Sequence, residues 1–176
     1  IRKYGSPDAI HIELAHEMSR NFADRKKIDK KYQDNRAENE RLMAQIEEIK
    51  GGHPTGQDLV KFKLFRDQNE VCLYSGQKLD AARLFEPGYV DVDHIIPYSI
   101  SFDDSYNTKA LVLASENRQN GNCLPLEYMA NDPAKAERFT VLVETSIRNY
   151  RKRQKLLKKA FTEEERNTFK QRNLVD

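Results

Sequence analysis

Apolar and polar residues alternate over 9–14, with Ile10, Ile12 and Leu14 on one side and His11 and Glu13 on the other. That period predicts a strand, although no neighbouring segment looks like its partner. From Ala15 to about Lys50 the apolar positions thin out among Glu, Lys, Arg, Ala and Gln. The pattern predicts a long solvated helix, or two, acting as a connector rather than a core element. Gly51-Gly52-His53-Pro54 stops it, since glycine supplies the C-terminal turn and proline disfavours continuation. Apolar positions return in Gln57–Gln68, where Leu59, Val60, Phe62, Leu64 and Phe65 make the broad face of a buried helix. Val71–Tyr74 predicts a short strand entering a turn at Ser75-Gly76, and Glu86-Pro87-Gly88 a second turn. Tyr89–Ile96 alternates and is β-rich up to Pro97, and Leu111–Leu113 is another strand after the polar loop Ser101–Thr108. A short helix follows through Glu116–Gly121, with Ser115 as its N-cap. Phe139, Leu142, Val143, Ile147 and Tyr150 recur at helical spacing, and Thr162 with Glu165 forms a capping box for a last helix to about Arg172.

The 176 residues, 38% hydrophobic and 33% charged, suit one domain with appendages. No run approaches the roughly 18 apolar residues of a membrane span, and no leader precedes the first elements, so a cytoplasmic location is expected. The chain opens at Ile1 without methionine and reads as a piece of something larger. A net charge of +2 hides an asymmetry. Arg148, Arg151, Lys152, Arg153, Lys155, Lys158 and Lys159 fall within twelve residues that hold no acid, whereas Glu86–Asp104 holds five acids and no Lys or Arg. The first stretch suits a polyanion or the solvated side of a helix, and the second suits a cation.

The candidate chemistry lies in Val92-Asp93-His94-Ile95-Ile96-Pro97, with Asn117 twenty-three residues after His94. Phosphodiester hydrolysis needs an activated water, a cation at the phosphate and in-line geometry. Imidazole, with an ordinary pKa of about 6.5, takes a proton at neutral pH. A carboxylate and an amide oxygen are hard ligands, few enough to leave Mg²⁺ most of its waters. Adjacent residues of a strand point to opposite faces, so Asp93 and His94 form a fork that serves one scissile group only if the strand end bends. On composition and spacing alone the alternative is a hydrogen-bonded structural histidine.

Asp91 to Pro97, Asp103-Asp104-Ser105, Lys109 to Leu113 and Glu116-Asn117-Arg118 closely resemble the ββα-metal (HNH) motif of the RNA-guided CRISPR type II effector nucleases. Tyr74-Ser75-Gly76, Glu86-Pro87-Gly88-Tyr89 and Phe169 to Leu174 resemble the compact type II-C branch, so the likeness runs in order along nearly the whole chain. The resemblance implies an α+β fold, mostly helical, with a central ββα-metal motif. It implies Asp93 and Asn117 as metal ligands, His94 as general base, and Mg²⁺-dependent cleavage of the DNA strand paired to guide RNA, with Mn²⁺ able to substitute. Lys109 and Arg118 are secondary candidates for phosphate contacts. Residues 1–15 look like part of the RuvC middle segment, with Glu13 silent without its partner carboxylates; 16–50 and 148–176 would be helical linkers around an HNH domain at 51–147. The implied partners are the target strand in an RNA–DNA heteroduplex, the guide RNA and the RuvC-bearing remainder of the parent nuclease. A phage inhibitor protein is a further candidate partner of the active-site face.

One position departs from the family, which usually has Asn directly before the lysine that opens the second strand. Here Thr108 precedes Lys109, and the Asn stands at Asn107. A one-residue shift flips a side chain to the other face of a strand, so Asn107 stays outside the catalytic set. Cys72 and Cys123 lack the paired ligands of a zinc site; no structural zinc is expected, and both read as small buried residues. His11, His16 and His53 read as surface residues. Two rivals stay open. A free-standing HNH endonuclease would cut bare duplex DNA without a guide. A helical nucleic-acid- or protein-binding module with a relic hairpin is given room by Thr108.

Overall fold

The computed structural model describes residues 22–163 together with Glu165 and Asn167. The strand expected at 9–14, with Glu13, and the far end of the last expected helix lie outside these residues. Two units are distinguished, residues 1–38 and 39–176. In the first, the described residues are the opening turns of helix α1 (Phe22–Lys50), solvated almost throughout as their composition predicts.

In the second unit the same helix changes character. Leu42 and Ile46, one helical turn apart, are fully buried, so its last turns are a core element and not the connector expected. Gly51, with φ +69°, ends the helix by donating to Glu47 O at 2.9 Å. Helix α2 (Gly56–Asp67) opens on a capping box in which Asp58 N donates to Thr55 Oγ1 and Thr55 N donates to Asp58 Oδ2. It buries Phe62, Leu64 and Phe65.

The strand expected at Val71–Tyr74 is absent. Val71 makes a single antiparallel bridge to Lys78, and the residues between close a tight loop in which Gly76 N donates to Cys72 O. Gly76 takes φ +72° there, a conformation that favours glycine. The β-rich run is hydrophobic because Cys72, Leu73 and Tyr74 fill the core, not because they pair.

Strands β1 (Val90–His94) and β2 (Lys109–Leu113) form the antiparallel hairpin, with Asp93 opposite Ala110 and His94 opposite Lys109. Gln68, wholly buried, completes the hairpin from the side. Its Nε2 donates to Leu111 O and its Oε1 accepts from Leu111 N, both at 2.8 Å, so one side chain satisfies the outer edge of β2 as a third strand would. The loop between the strands contains helix α3 (Tyr98–Ser101) and a 3₁₀ turn at Tyr106–Thr108.

Helix α4 (Ala114–Asn120) leaves β2 directly. Leu113 occupies the N-cap without a side-chain bond, and Ser115 lies inside the first turn instead of capping it. Helices α5 (Pro125–Tyr128), α6 (Pro133–Ser146) and α7 (Tyr150–Leu156) follow. The expected stripe from Phe139 is broken after α6: Ile147 is buried, but Tyr150 begins a new helix and is exposed. The core joins Leu64, Tyr74, Leu84, Leu111, Phe139 and Leu156, among others, around the hairpin. Among the described residues the result is a mostly helical unit with one small two-stranded sheet. No described helix is long and apolar enough to cross a membrane.

Candidate active site

Asp93 and His94 end β1 and point to different neighbours. Asp93, 8% exposed, turns inward. Its Oδ2 accepts from Tyr74 Oη at 2.5 Å and from Asn120 Nδ2 at 3.4 Å, and the His94 backbone N–H also donates to it. Tyr74 is held for this by the ring of Tyr128 and the edge-on ring of Phe139, with centroids 6.3 and 6.0 Å away. Burial raises the Asp93 pKa above the ordinary carboxylate value, with Asp91 adding to the effect; the Tyr74 and His94 hydrogen bonds oppose it. Burial together with the neighbouring Asp93 charge pushes the Tyr74 hydroxyl well above its ordinary value, so it remains a donor.

Two residues back, Asp91 lies on the same side of the strand and accepts from Asn117 Nδ2 at 3.2 Å. Asn117 and Asn120 are three apart on α4, so they share a helix face. The helix therefore lays two carboxamides across two carboxylates, Asn117 on Asp91 and Asn120 on Asp93. Each amide uses its nitrogen on a carboxylate. Asn120 Oδ1 is buried without a partner.

His94 faces the loop. Its Nε2 lies 2.8 Å from Asp104 Oδ1, and the same oxygen is 2.8 Å from Lys109 Nζ. Lys109, then His94, hold the Asp104 carboxyl below its ordinary range. An ionised carboxylate only accepts, so the neutral ring carries its hydrogen on Nε2 and keeps the Nδ1 lone pair. The loop is braced by Thr108, whose buried hydroxyl shares its single hydrogen between Asp103 O and Ser105 O, at 2.9 and 2.7 Å. Asn107 faces elsewhere and pairs with Asn149. Thr108 thus makes the loop contacts at the position where the family usually has Asn.

A family profile described as HNH endonuclease matches residues 72–126. The CRISPR-associated endonuclease Cas9 of Campylobacter jejuni is 41% identical over 88 residues, 50% of this chain and 9% of that protein. The Cas9 1 protein of Streptococcus thermophilus is 32% identical over an alignment that takes in 100% of this chain and 17% of its own length. A crystal structure of Streptococcus thermophilus Cas9 in complex with AGGA PAM superposes with a TM-score of 0.68 and 26% identity, over 90% of this chain and 17% of that one. The chain carries an HNH endonuclease domain of the Cas9 type. The type II-C Cas9 enzyme from Actinomyces naeslundii shares the fold, with a TM-score of 0.57 at 17% identity over 74% of this chain and 14% of its own. The chain thus spans less than a fifth of the length of these relatives.

Nucleases of the HNH kind are metal-dependent, and the residues present fit a hard cation. The HNH domain gathers carboxylate and carboxamide oxygens under α4, with one amide oxygen, Asn120 Oδ1, buried and unpaired beside Asp93. Among the described residues no three His, Cys, Asp or Glu side chains converge, so the oxygen set draws on the amides of α4. Asp91, Asn120, Tyr74 and Asp104 were missed as site residues. The i, i+2 repeat Asp91/Asp93 and the i, i+3 repeat Asn117/Asn120 were the signals that could have found the first two. Cys123 is exposed, not buried as expected, while Cys72 is buried and accepts from Leu113 N at 3.3 Å. His53 is exposed.

The basic run is largely used inside the fold. Lys152 is buried, Lys155 pairs with Asp103 at 3.0 Å and Lys158 with Glu165, which leaves Arg148, Arg151 and Lys159 fully on the surface. Arg118 is exposed on α4, and the Lys109 ammonium is already on Asp104.

Proposed function

We propose that this chain is the catalytic unit with which an RNA-guided nuclease hydrolyses the DNA strand paired to its guide RNA. The observation that supports it most directly is the fork at the end of β1. Asp93 is held under α4 beside Asn120, and His94 is held outside by Asp104, so acid–base and ion-binding groups sit on adjacent residues without neutralising each other.

In this reading Asp93 and Asn117 hold one Mg²⁺, for which Mn²⁺ can substitute. Asn117 Nδ2 is committed to Asp91, which leaves its amide oxygen as the atom available for that role. When bound, the ion supplies positive charge to the phosphate and the departing oxygen. His94 Nδ1 takes the proton of the attacking water, and Asp104 keeps the ring oriented and stabilises the imidazolium that results. Tyr74 fixes the Asp93 carboxylate. Arg118 contacts phosphate, and Lys109 acts by holding Asp104. Target selection rests on guide pairing outside the chain. Residues 16–50 and 148–176 connect the unit to the RuvC-bearing remainder of the host, each anchored in the core where it joins the unit, by Leu42 and Ile46 on α1 and by Leu156 on α7.

Single-turnover cleavage of the DNA strand in an RNA–DNA heteroduplex tests this. His94→Ala should lower the rate by about 10²–10⁴-fold, the usual contribution of a general base, and Asn107→Ala should leave it unchanged. Equal cutting by His94→Ala and the parent chain would end the proposal.

A further inference from the structure

Beside His94 runs a short ladder of rings. Tyr98, the first residue of α3, lies 5.7 Å from the imidazole between ring centroids, and Phe102, which caps α3, lies 5.9 Å beyond Tyr98. Both are about half exposed, at 50% and 47%. The other tyrosines near the site behave differently: Tyr74 and Tyr106 turn their hydroxyls onto Asp93 and Asp67.

Phe102 also sits at φ +49°, in the left-handed region where a bulky side chain is a genuine outlier. The surrounding contacts hold it there: Phe102 N donates to Tyr98 O, Asp103 N to Ser101 Oγ, and Thr108 pins Asp103 O. Strain kept in place by so many bonds, with its result a half-exposed aromatic ring beside Tyr98, points to use. The two acids of this rim are already engaged, Asp103 by Lys155 and Asp104 by His94 and Lys109. What the rim presents to a ligand is therefore ring surface and not charge.

We propose that Tyr98 and Phe102 form a platform that packs against the apolar face of the nucleotide next to the scissile phosphate. This rests on the nuclease reading, because only a strand with its phosphate at His94 brings a nucleotide to these rings. Such contacts tolerate any sequence, since every base and every deoxyribose offers an apolar face. They would fix the strand along β1 and α3 while guide pairing sets which strand it is.

The test is binding of the chain to an end-labelled DNA–RNA heteroduplex, by fluorescence anisotropy in EDTA so that nothing is cut. It is repeated with a single abasic position walked along the DNA strand. Tyr98→Ala and Phe102→Ala should each weaken binding by about tenfold, within the range of aromatic stacking on nucleotides, and Tyr98→Phe should recover it. If the base is the partner, an abasic site at one position weakens the parent chain and not the alanine variants. If the deoxyribose is the partner, the alanine effect persists on every abasic strand. Alanine variants that bind every strand like the parent, as rings reserved for a protein neighbour would, overturn the platform. Failure of the nuclease reading shows separately, as cleavage in Mg²⁺ indifferent to His94→Ala, and would remove the platform with it.

Discussion

Lys152 gives a quantitative test of how α7 is seated. It is 3% exposed, its Nζ has no hydrogen-bond partner, and the ammonium lies 5.3 Å from the centre of the Tyr106 ring. Asp67, which accepts from Tyr106 Oη, is the acid that favours the charged form, and burial outweighs it. The pKa falls from the ordinary 10.5 to about 8. Two and a half decades of proton affinity, at about 1.4 kcal/mol each, come to roughly 3 kcal/mol. Between pH 8 and 10.5 the folded chain binds fewer protons than the unfolded one, so the native chain gains stability as pH rises through that window. Below about pH 8 the full penalty is present. Lys152→Met keeps the apolar stem and removes the charge. It should therefore stabilise the chain by up to roughly 3 kcal/mol at pH 7, and the gain should shrink toward zero by about pH 10.5. Urea unfolding of both chains at pH 7, 9 and 10.5 measures this, and the difference cancels the other titrating groups. A variant no more stable at pH 7, or a gain independent of pH, would refute the burial argument.

Tyr74→Phe removes the hydroxyl that fixes buried Asp93 and should weaken metal binding by about 10–100-fold, as loss of an outer-shell partner does; isothermal titration with Mn²⁺ checks it, and an unchanged affinity would show Tyr74 to be packing alone. Gln68→Leu leaves the Leu111 N–H and C=O of β2 without partners and should cost about 3 kcal/mol. A urea midpoint within error of the parent would mean that water or backbone replaces the side chain.

Much of this architecture can be read locally. The capping box at Thr162–Glu165, the stop at Gly51 and the hairpin strands all follow from short-range signals, and the structure carries each of them. Errors arose where a segment's hydrophobicity has a long-range cause. Val71–Tyr74 looks like a strand because its side chains enter the core, and only the αL turn at Gly76 limits its pairing to the one bridge between Val71 and Lys78. Gln68 reads as a polar helix end, yet it serves a strand 43 residues away. The basic run reads as one surface, but docking α7 on the 3₁₀ turn buries Lys152 and ties Lys155 to Asp103. At the site, Asp93, His94 and Asn117 came from resemblance. Tyr74 and Asp104 lie 19 and 10 residues from the side chains they hold, and no local spacing marks them.

The central claim is a preformed ion site between β1 and α4, and paramagnetic Mn²⁺ tests it most directly. Titrated into ¹⁵N-labelled chain, it should broaden the amides of Asp93, His94 and Asn117 selectively, and Asp93→Ala should abolish the effect. Broadening that is diffuse, or that survives Asp93→Ala unchanged, would contradict the account.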